Sequence, residues 1–237
     1  MVESIIAFGG NIGDVRQTFR KAIERLDNAP HTRVVRQSSL YDTTPVGSKA
    51  GERYLNAAVR IETELGPGQL LVVLQEIEES LGRHRTYHWA PRTLDLDLIS
   101  YGQKHVLERD LIVPHPAMWY RRFVLDPVCE IAPDCYHPVL NRTFRDLLVD
   151  LHHRPIKAFL NCSAETASTI QVHVRRDFNE DTVSFYCKSL DAFIIFSSEM
   201  SNEPRFVLLP EQQSEQFVFQ VLTGILDEPQ IVDWQQR

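Results

Sequence analysis

Apolar and polar positions change period in a regular order over the first hundred residues. Residues 4–8 form a short apolar run that predicts a buried strand. Val15, Phe19, Ala22, Ile23 and Leu26 then recur at helical spacing. Asp14 stands just before them and, with Gln17 three residues on, is spaced as a capping box; Pro30 ends the helix. Residues 32–40 and 55–61 predict two further strands. Residues 69–81 place Leu70, Val73, Leu74, Ile77 and Leu81 on one helical face, with Gly82 positioned as a C-terminal cap. Residues 93–101 alternate, with Leu94, Leu96 and Leu98 on one face and Asp95, Asp97 and Ile99 on the other, which predicts a strand. The order β-α-β-β-α-β is the ferredoxin-like pattern. It predicts an α+β domain with an antiparallel sheet and helices on one face.

Two connections exceed what such a fold needs, residues 41–54 and residues 82–92, and long loops in compact domains tend to be functional. Residues 111–113 read as a short strand, a proline-punctuated stretch runs to about residue 140, and residues 144–151 read as a short amphipathic helix. Beyond residue 155 four runs predict strands, at 169–175, 182–188, 192–197 and 205–209. Turn-forming residues 177–181 predict a hairpin between the first two. Residues 211–226 follow Pro210 and read as an amphipathic helix with Phe217, Val218, Val221, Leu222 and Ile225 on its apolar side. Residues 1–154 are therefore expected to form one domain and residues 155–237 a separate small α+β domain outside the chemistry. Self-association, a partner contact or a brace are its candidate roles, and a chain ending near Asp150 is expected to stay folded and active.

Charge sharpens this division. Of the net charge of −7, residues 155–237 carry most, with 6 basic and 12 acidic side chains against 19 and 20 in residues 1–154. An acidic chain is a poor nucleic-acid binder, so any phosphate binding must rest on a local basic patch. No apolar run approaches the roughly 20 residues of a bilayer span. The start, Met1-Val2-Glu3-Ser4, lacks the basic residues of a signal peptide. Cys129, Cys135, Cys162 and Cys187 show no C-x-x-C spacing. These features together lead to the expectation of reduced thiols in a cytoplasmic protein.

Asp95 and Asp97 carry the sharpest chemical signal. Two positions apart on a strand, their carboxylates share a face about 6.5–7 Å apart along the chain. A pair of this kind suits divalent ions held through oxygen, and two such ions clamp a transferring phosphoryl group. A solvated strand face is the plainer alternative. Arg83, His84, Arg85, His88 and Arg92 fall within ten residues with no acid among them. Arginine forks match phosphate oxygens, so this loop beside the aspartates points to a phosphate–metal site rather than to a merely basic surface. His115, Arg121 and Arg122 extend the same chemistry if the fold gathers them. Trp89, Phe123 and Asn56 form a third group, suited to stacking and hydrogen-bonding a planar ligand, although an aromatic taken singly more often fills a core. The run from Gly9 to Gly13 follows a strand and opens a helix. It lacks the Gly-Lys-Ser/Thr end of a phosphate loop, so a tight turn is its default reading.

From His88 to Ile99 the chain reads HWAPRTLDLDLI, which closely resembles the central motif of the 6-hydroxymethyl-7,8-dihydropterin pyrophosphokinases of folate biosynthesis. FGGNIGD from Phe8, SLYDTTPVG from Ser39, YLNAA from Tyr54, VPHP from Val113 and RRFVL from Arg121 agree in order and spacing, so the resemblance spans about residues 3–150. It implies that Asp95 and Asp97 bind two Mg²⁺ bridging the phosphates of ATP. It implies that Trp89 and Phe123 sandwich the pterin, and that Asn56 bonds its amide edge with Thr43, Pro45, Val46 and Tyr54 alongside. Gln75, Glu78, Arg85, Leu98 and Arg121 would line the nucleotide, with Arg83, Arg92, Asp97 and His115 nearest the chemistry. Gly10 stands where the family often has serine, and His88 where arginine or lysine can stand. Two other classes compete. An RNA-binding ferredoxin-like module would carry aromatics and bases on the sheet face that here carries Asp95 and Asp97. A decayed, non-catalytic relative would not have kept both aspartates, the arginines and the stacking aromatics.

Overall fold

The computed structural model describes residues 1–45, 52–83, 92–186, 194–197, 206–209 and 214–235. The chain divides into two compact units, Met1–Leu148 with Asp227–Arg237, and Val149–Leu226. This division departs from the expected cut at residue 154 because the last residues return to the first unit as a strand of its sheet.

The first unit is built from β1 (Val2–Gly10), α1 (Val15–Asp27), β2 (Thr32–Gln37), β3 (Leu40–Thr43), β4 (Tyr54–Thr63), α2 (Pro67–Ser80) and β5 (Asp95–Tyr101). Small elements follow: β6 (Val106–Glu108), β7 (Leu111–Val113), α3 (Arg122–Ile131), β8 (Tyr136–His137), β9 (Arg142–Thr143) and α4 (Phe144–His152). β1 is central, paired antiparallel with β4 on one side and β5 on the other. Its residues Ile5 to Phe8 are all buried, as both faces of a middle strand must be. β2 and β3 both pair with β4, so the single strand expected over residues 32–40 is two, separated at Ser38 and Ser39.

Ile6, Phe8, Leu94, Leu96 and Leu98 pack with Phe19, Leu26, Leu70 and Leu74 of α1 and α2 in one core. The Asp14 side chain caps α1 by accepting from the Gln17 amide at 3.0 Å. Gly82 takes a positive φ of 85° just past α2, where a Cβ would be strained. Cross-strand pairing puts Ala7 opposite Asp97 and Gly9 opposite Asp95, so the two aspartates stand on the face away from α1 and α2. That face is not left bare. α3 packs against β4, β3 and β1, so helices cover both faces rather than the expected one. α3 was hidden in the sequence by Pro127 and its neighbouring prolines. It is tied to β3 by Glu130, which accepts from the Ser39 amide and from the Tyr41 hydroxyl, each at 2.9 Å.

The second unit contains β10 (Ile156–Asn161), α5 (Ala164–Val174), β11 (Val183–Tyr186), β12 (Ile194–Ser197), β13 (Phe206–Leu208) and α6 (Ser214–Leu226). Its strands run in the order β11-β10-β12-β13, all parallel, and α5 packs on α6. The expected strand at 169–175 is a helix. Ile170, Val172 and Val174 alternate, but only Ile170 and Val174, one turn apart, are buried, while Val172 is exposed. Residues 177–181 consequently join a helix to a parallel strand and make no hairpin. The last strand, β14 (Gln230–Val232), pairs with β3 and completes a six-stranded sheet in the first unit. No helix among the described residues is long and apolar enough to cross a membrane.

Candidate active site

The candidate site lies where β4, β1 and β5 end side by side. Asn56 on β4 and Asp95 on β5 both pair with Gly9 of β1. A Cβ built on Gly9 would lie 3.4 Å from Asn56 Oδ1 and 3.8 Å from the Asp95 Cβ. Glycine here leaves the space between an amide and a carboxylate free of a side chain. Asn56 is buried, and its Nδ2 donates to Thr43 Oγ1 at 2.7 Å. Thr43 thus fixes which end of that amide is spent within the protein. Pro45 and Tyr54, also expected on the pterin side, are half-buried close by in sequence.

On the other side, Asp95 binds two arginines. Arg83 Nη2 lies 2.7 Å from its Oδ1, and Arg92 Nη1 pairs with its Oδ2. Burial and the neighbouring charge of Asp97 push Asp95 above the usual carboxylate range, and the two guanidiniums pull it back. Arg92 also lies against Tyr54, whose hydroxyl burial pushes upward. The Arg92 backbone is gripped by Asn11, with its amide donating to Asn11 Oδ1 and the Asn11 amide donating to its carbonyl, each at 3.0 Å. The sequence alone does not single out Asn11. Its signal was an amide side chain directly after Gly9-Gly10, where a plain turn needs none.

Glu78 is the buried support of this arrangement. It pairs with Arg83, and its Oε1 accepts from the Leu96 amide at 2.6 Å, fixing β5 to α2. Burial pushes its carboxyl up to about 7. Gln75 lies three residues earlier on α2 and is half-buried. Leu98 points into the core, so any nucleotide contact it makes must come from its backbone. His115 Nδ1 accepts from the Ala117 amide at 3.2 Å, which leaves its proton on Nε2. Burial and Arg121 push the ring down to about 4, so it is neutral at physiological pH. The Arg121 guanidinium lies 5.6 Å from the Phe123 ring centre, and Arg122 is occupied in a pair with Asp126 at 2.7 Å. Val46, Arg85, His88 and Trp89 lie outside the described residues.

Among the described residues no group of three or more His, Cys, Asp or Glu could hold a metal ion. The described residues offer the Asp95–Asp97 pair, two carboxylates on one strand face. That pair fits Mg²⁺, which takes one or two carboxylates and draws its remaining ligands from substrate phosphates and water.

Comparison with known proteins gives the family of this part of the chain. Residues 5–133 match the family described as 7,8-dihydro-6-hydroxymethylpterin-pyrophosphokinase. The 2-amino-4-hydroxy-6-hydroxymethyldihydropteridine pyrophosphokinase of Bacillus subtilis is 44% identical over 127 residues, covering 54% of this chain and 76% of that protein. The protein of the same name from Methylorubrum extorquens is 40% identical over 151 residues, covering 64% of this chain and 94% of that one. Among solved structures, the fold resembles Plasmodium falciparum HPPK-DHPS, with a TM-score of 0.50 at 13% identity, covering 83% of this chain and 56% of that one. The family match takes in every residue of the cleft described above, and more than half of the chain, which therefore belongs to the 7,8-dihydro-6-hydroxymethylpterin-pyrophosphokinase family.

Proposed function

We propose that the cleft between Asn56 and Asp95 is where this pyrophosphokinase performs its reaction. The reaction transfers a diphosphate from ATP to the hydroxymethyl group of 6-hydroxymethyl-7,8-dihydropterin in folate biosynthesis. The observation that carries the assignment is the shared pairing of Asn56 and Asp95 with Gly9, which sets a pterin-type amide and a metal-type carboxylate one strand apart from a common glycine. The unit around it, with β5-β1-β4 antiparallel and β2 and β3 beyond, is read as a ferredoxin-like arrangement.

Asn56, oriented by Thr43, holds the amide edge of the pterin, with Pro45, Val46 and Tyr54 alongside and Phe123 and Trp89 as its stacking partners. Asp95 and Asp97 hold two Mg²⁺, which when bound neutralise the phosphate charge of ATP. Arg83 and Arg92, which pair with Asp95, turn to the phosphates once that carboxylate is taken, and stabilise the charge that develops on the transferred group and on departing AMP. The pterin hydroxyl oxygen bonds to the β-phosphorus as the bond from that phosphorus to the AMP oxygen breaks, and Asp97 takes the hydroxyl proton. Neutral His115 offers its Nε2 hydrogen to a phosphate oxygen. Gln75, Glu78, Arg85, Arg121 and the backbone of Leu98 line the nucleotide side. The second unit is assigned a role outside the chemistry, with self-association as the candidate, in a cytoplasmic enzyme.

An assay of AMP formation from ATP tests the assignment. Release must require both Mg²⁺ and the pterin, and Asn56→Ala must raise the KM for the pterin more than that for ATP. AMP release indifferent to Asn56 would move the pterin site elsewhere.

A further inference from the structure

The family match ends at residue 133, yet a residue far beyond it reaches the pterin side of the cleft. After the second unit ends at Leu226, the chain re-enters the first unit at Asp227. The return is anchored firmly. β14 pairs Gln230, Ile231 and Val232 with Asp42, Tyr41 and Leu40 of β3. Trp234 packs against the core that holds Phe19, and its Nε1–H donates to the Ser38 carbonyl at 3.1 Å. On α1, Arg16 donates to the Asp233 carbonyl at 3.1 Å, and Arg20 donates to that of Trp234. Asp227 is therefore placed by an anchored strand that begins three residues after it, not by a loose tail.

At that place its carboxylate meets the end of β3. Its Oδ1 accepts from the Thr44 amide at 3.4 Å; burial pushes the carboxyl upward, and the Thr44 hydroxyl and amide, the Glu228 amide and the charge of Arg53 oppose that push. Asp227 is only 8% exposed, and its Oδ2 is buried with no hydrogen-bond partner among the described residues. Burying a carboxylate with one oxygen unserved costs stability. A solvated residue would cap Thr44 without that cost, so the burial is better explained by where it holds the backbone than by what it adds to the fold. The residue it holds adjoins Thr43, whose Oγ1 accepts from Asn56 Nδ2 at 2.7 Å.

We propose that Asp227 is a positioning residue for the pterin: it restrains the backbone at Thr44, and through Thr43 it orients the Asn56 amide. A pyrophosphokinase cleft formed within residues 5–133 thus depends on a residue delivered from the far end of the chain. The inference rests on the assignment of Asn56 to the pterin.

The test uses the full chain and steady-state kinetics for both substrates, with Asn56→Ala run beside the Asp227 variants. Asp227→Ala is expected to raise the KM for hydroxymethyl-dihydropterin about tenfold, the size of a lost hydrogen bond to a charged group, with the KM for ATP within about twofold. Asp227→Asn keeps an acceptor for the Thr44 amide and is expected to stay within about threefold of the parent. Asp227→Ser is too short to reach that amide and serves if the alanine variant fails to fold. An unchanged pterin KM in a folded alanine or serine variant, with Asn56→Ala impaired, overturns the positioning role alone. A rise in both KM values in step with a fall in thermal stability, unrescued by asparagine, also overturns it, because that is the signature of a fold defect. An unimpaired Asn56→Ala overturns the site assignment beneath it.

Discussion

Asn56 and Asp95 face each other across Gly9, each paired with it in the sheet, so the amide proposed for the pterin and the carboxylate proposed for the metal are separated by one strand residue that carries no side chain. Two inter-strand steps span about 9.5–10 Å, room for a hydroxymethyl group to approach a phosphate. Gly9→Val would place its Cβ 3.4 Å from Asn56 Oδ1 and put two methyl groups into that space. The expected result is a fall in kcat/KM for the pterin of about 10²-fold, as misplacement of reacting groups by about 1 Å can cost. Thermal melting should change far less. A folded valine variant with parent kinetics would show that the reacting groups do not meet over Gly9.

Asp97 shares the face of Asp95 but forms none of its arginine pairs in the described structure, which leaves it as the more available carboxylate for a cation. Asp97→Asn keeps the shape and removes the charge. Turnover at saturating Mg²⁺ should drop by at least about 10²-fold, comparable to the loss of one oriented charge-stabilising group. Isothermal titration should show weaker binding of Mg²⁺ with a non-hydrolysable ATP analogue. Turnover close to that of the parent would remove Asp97 from the site.

Glu78 ties the stability of the first unit to pH. Burial pushes its carboxyl up to about 7, above the ordinary glutamate value. The folded state therefore holds this proton more tightly than the unfolded chain does. The contribution is fully present below the ordinary glutamate range and is lost as pH rises through about 7. Glu78→Gln keeps an acceptor for the Leu96 amide and removes the titration. Denaturant melts between pH 4.5 and 7.5 should show the parent losing ground to the glutamine variant as pH rises, by up to about 3 kcal/mol at roughly 1.4 kcal/mol per unit. The same variant should bind ATP more weakly, since a neutral amide in place of the carboxylate no longer holds the charge of Arg83. Parallel stability curves would show that Glu78 does not titrate in this window.

These residues differ in how far the sequence exposed them. Asp95 and Asp97 were visible because a strand's period of two separates a leucine face from a carboxylate face, and the burial of Leu94, Leu96 and Leu98 matches that division. Asn11 was passed over because its role is a backbone clamp on Arg92, a contact across 81 positions that no local pattern encodes. α3 was missed because Pro127 inside it mimics loop punctuation. In the second unit, Ile170, Val172 and Val174 fit a strand as well as a helix by spacing. Only the cap at Ser163, whose Oγ accepts from the Thr166 amide at 3.2 Å, marked the helix start. The return of β14 to β3 is a pairing across nearly the whole chain between short segments, and short segments carry too few residues to announce a partner.

That return argues that a chain ending near Asp150 loses stability and pterin affinity, against the expectation from sequence. Such a chain lacks β14, so the outer edge of β3 loses its partner, and it lacks Trp234, whose ring packs 6.5 Å from that of Phe19. It also lacks Asp227 at Thr44. Trp234→Ala isolates the packing part of this loss, because it leaves β14 and Asp227 in the chain. Removing a half-buried indole and its bond to the Ser38 carbonyl should cost about 2–3 kcal/mol of unfolding free energy, with the pterin KM little changed. Truncation after Leu226 removes strand, indole and carboxylate together, and should lower stability further and raise the pterin KM as well. Denaturant melts and kinetics on both variants separate the two contributions. If the chain shortened at Leu226 melts with the parent and binds the pterin equally well, residues 227–235 are ornamental to the kinase unit, and the sheet needs only the five strands that precede them.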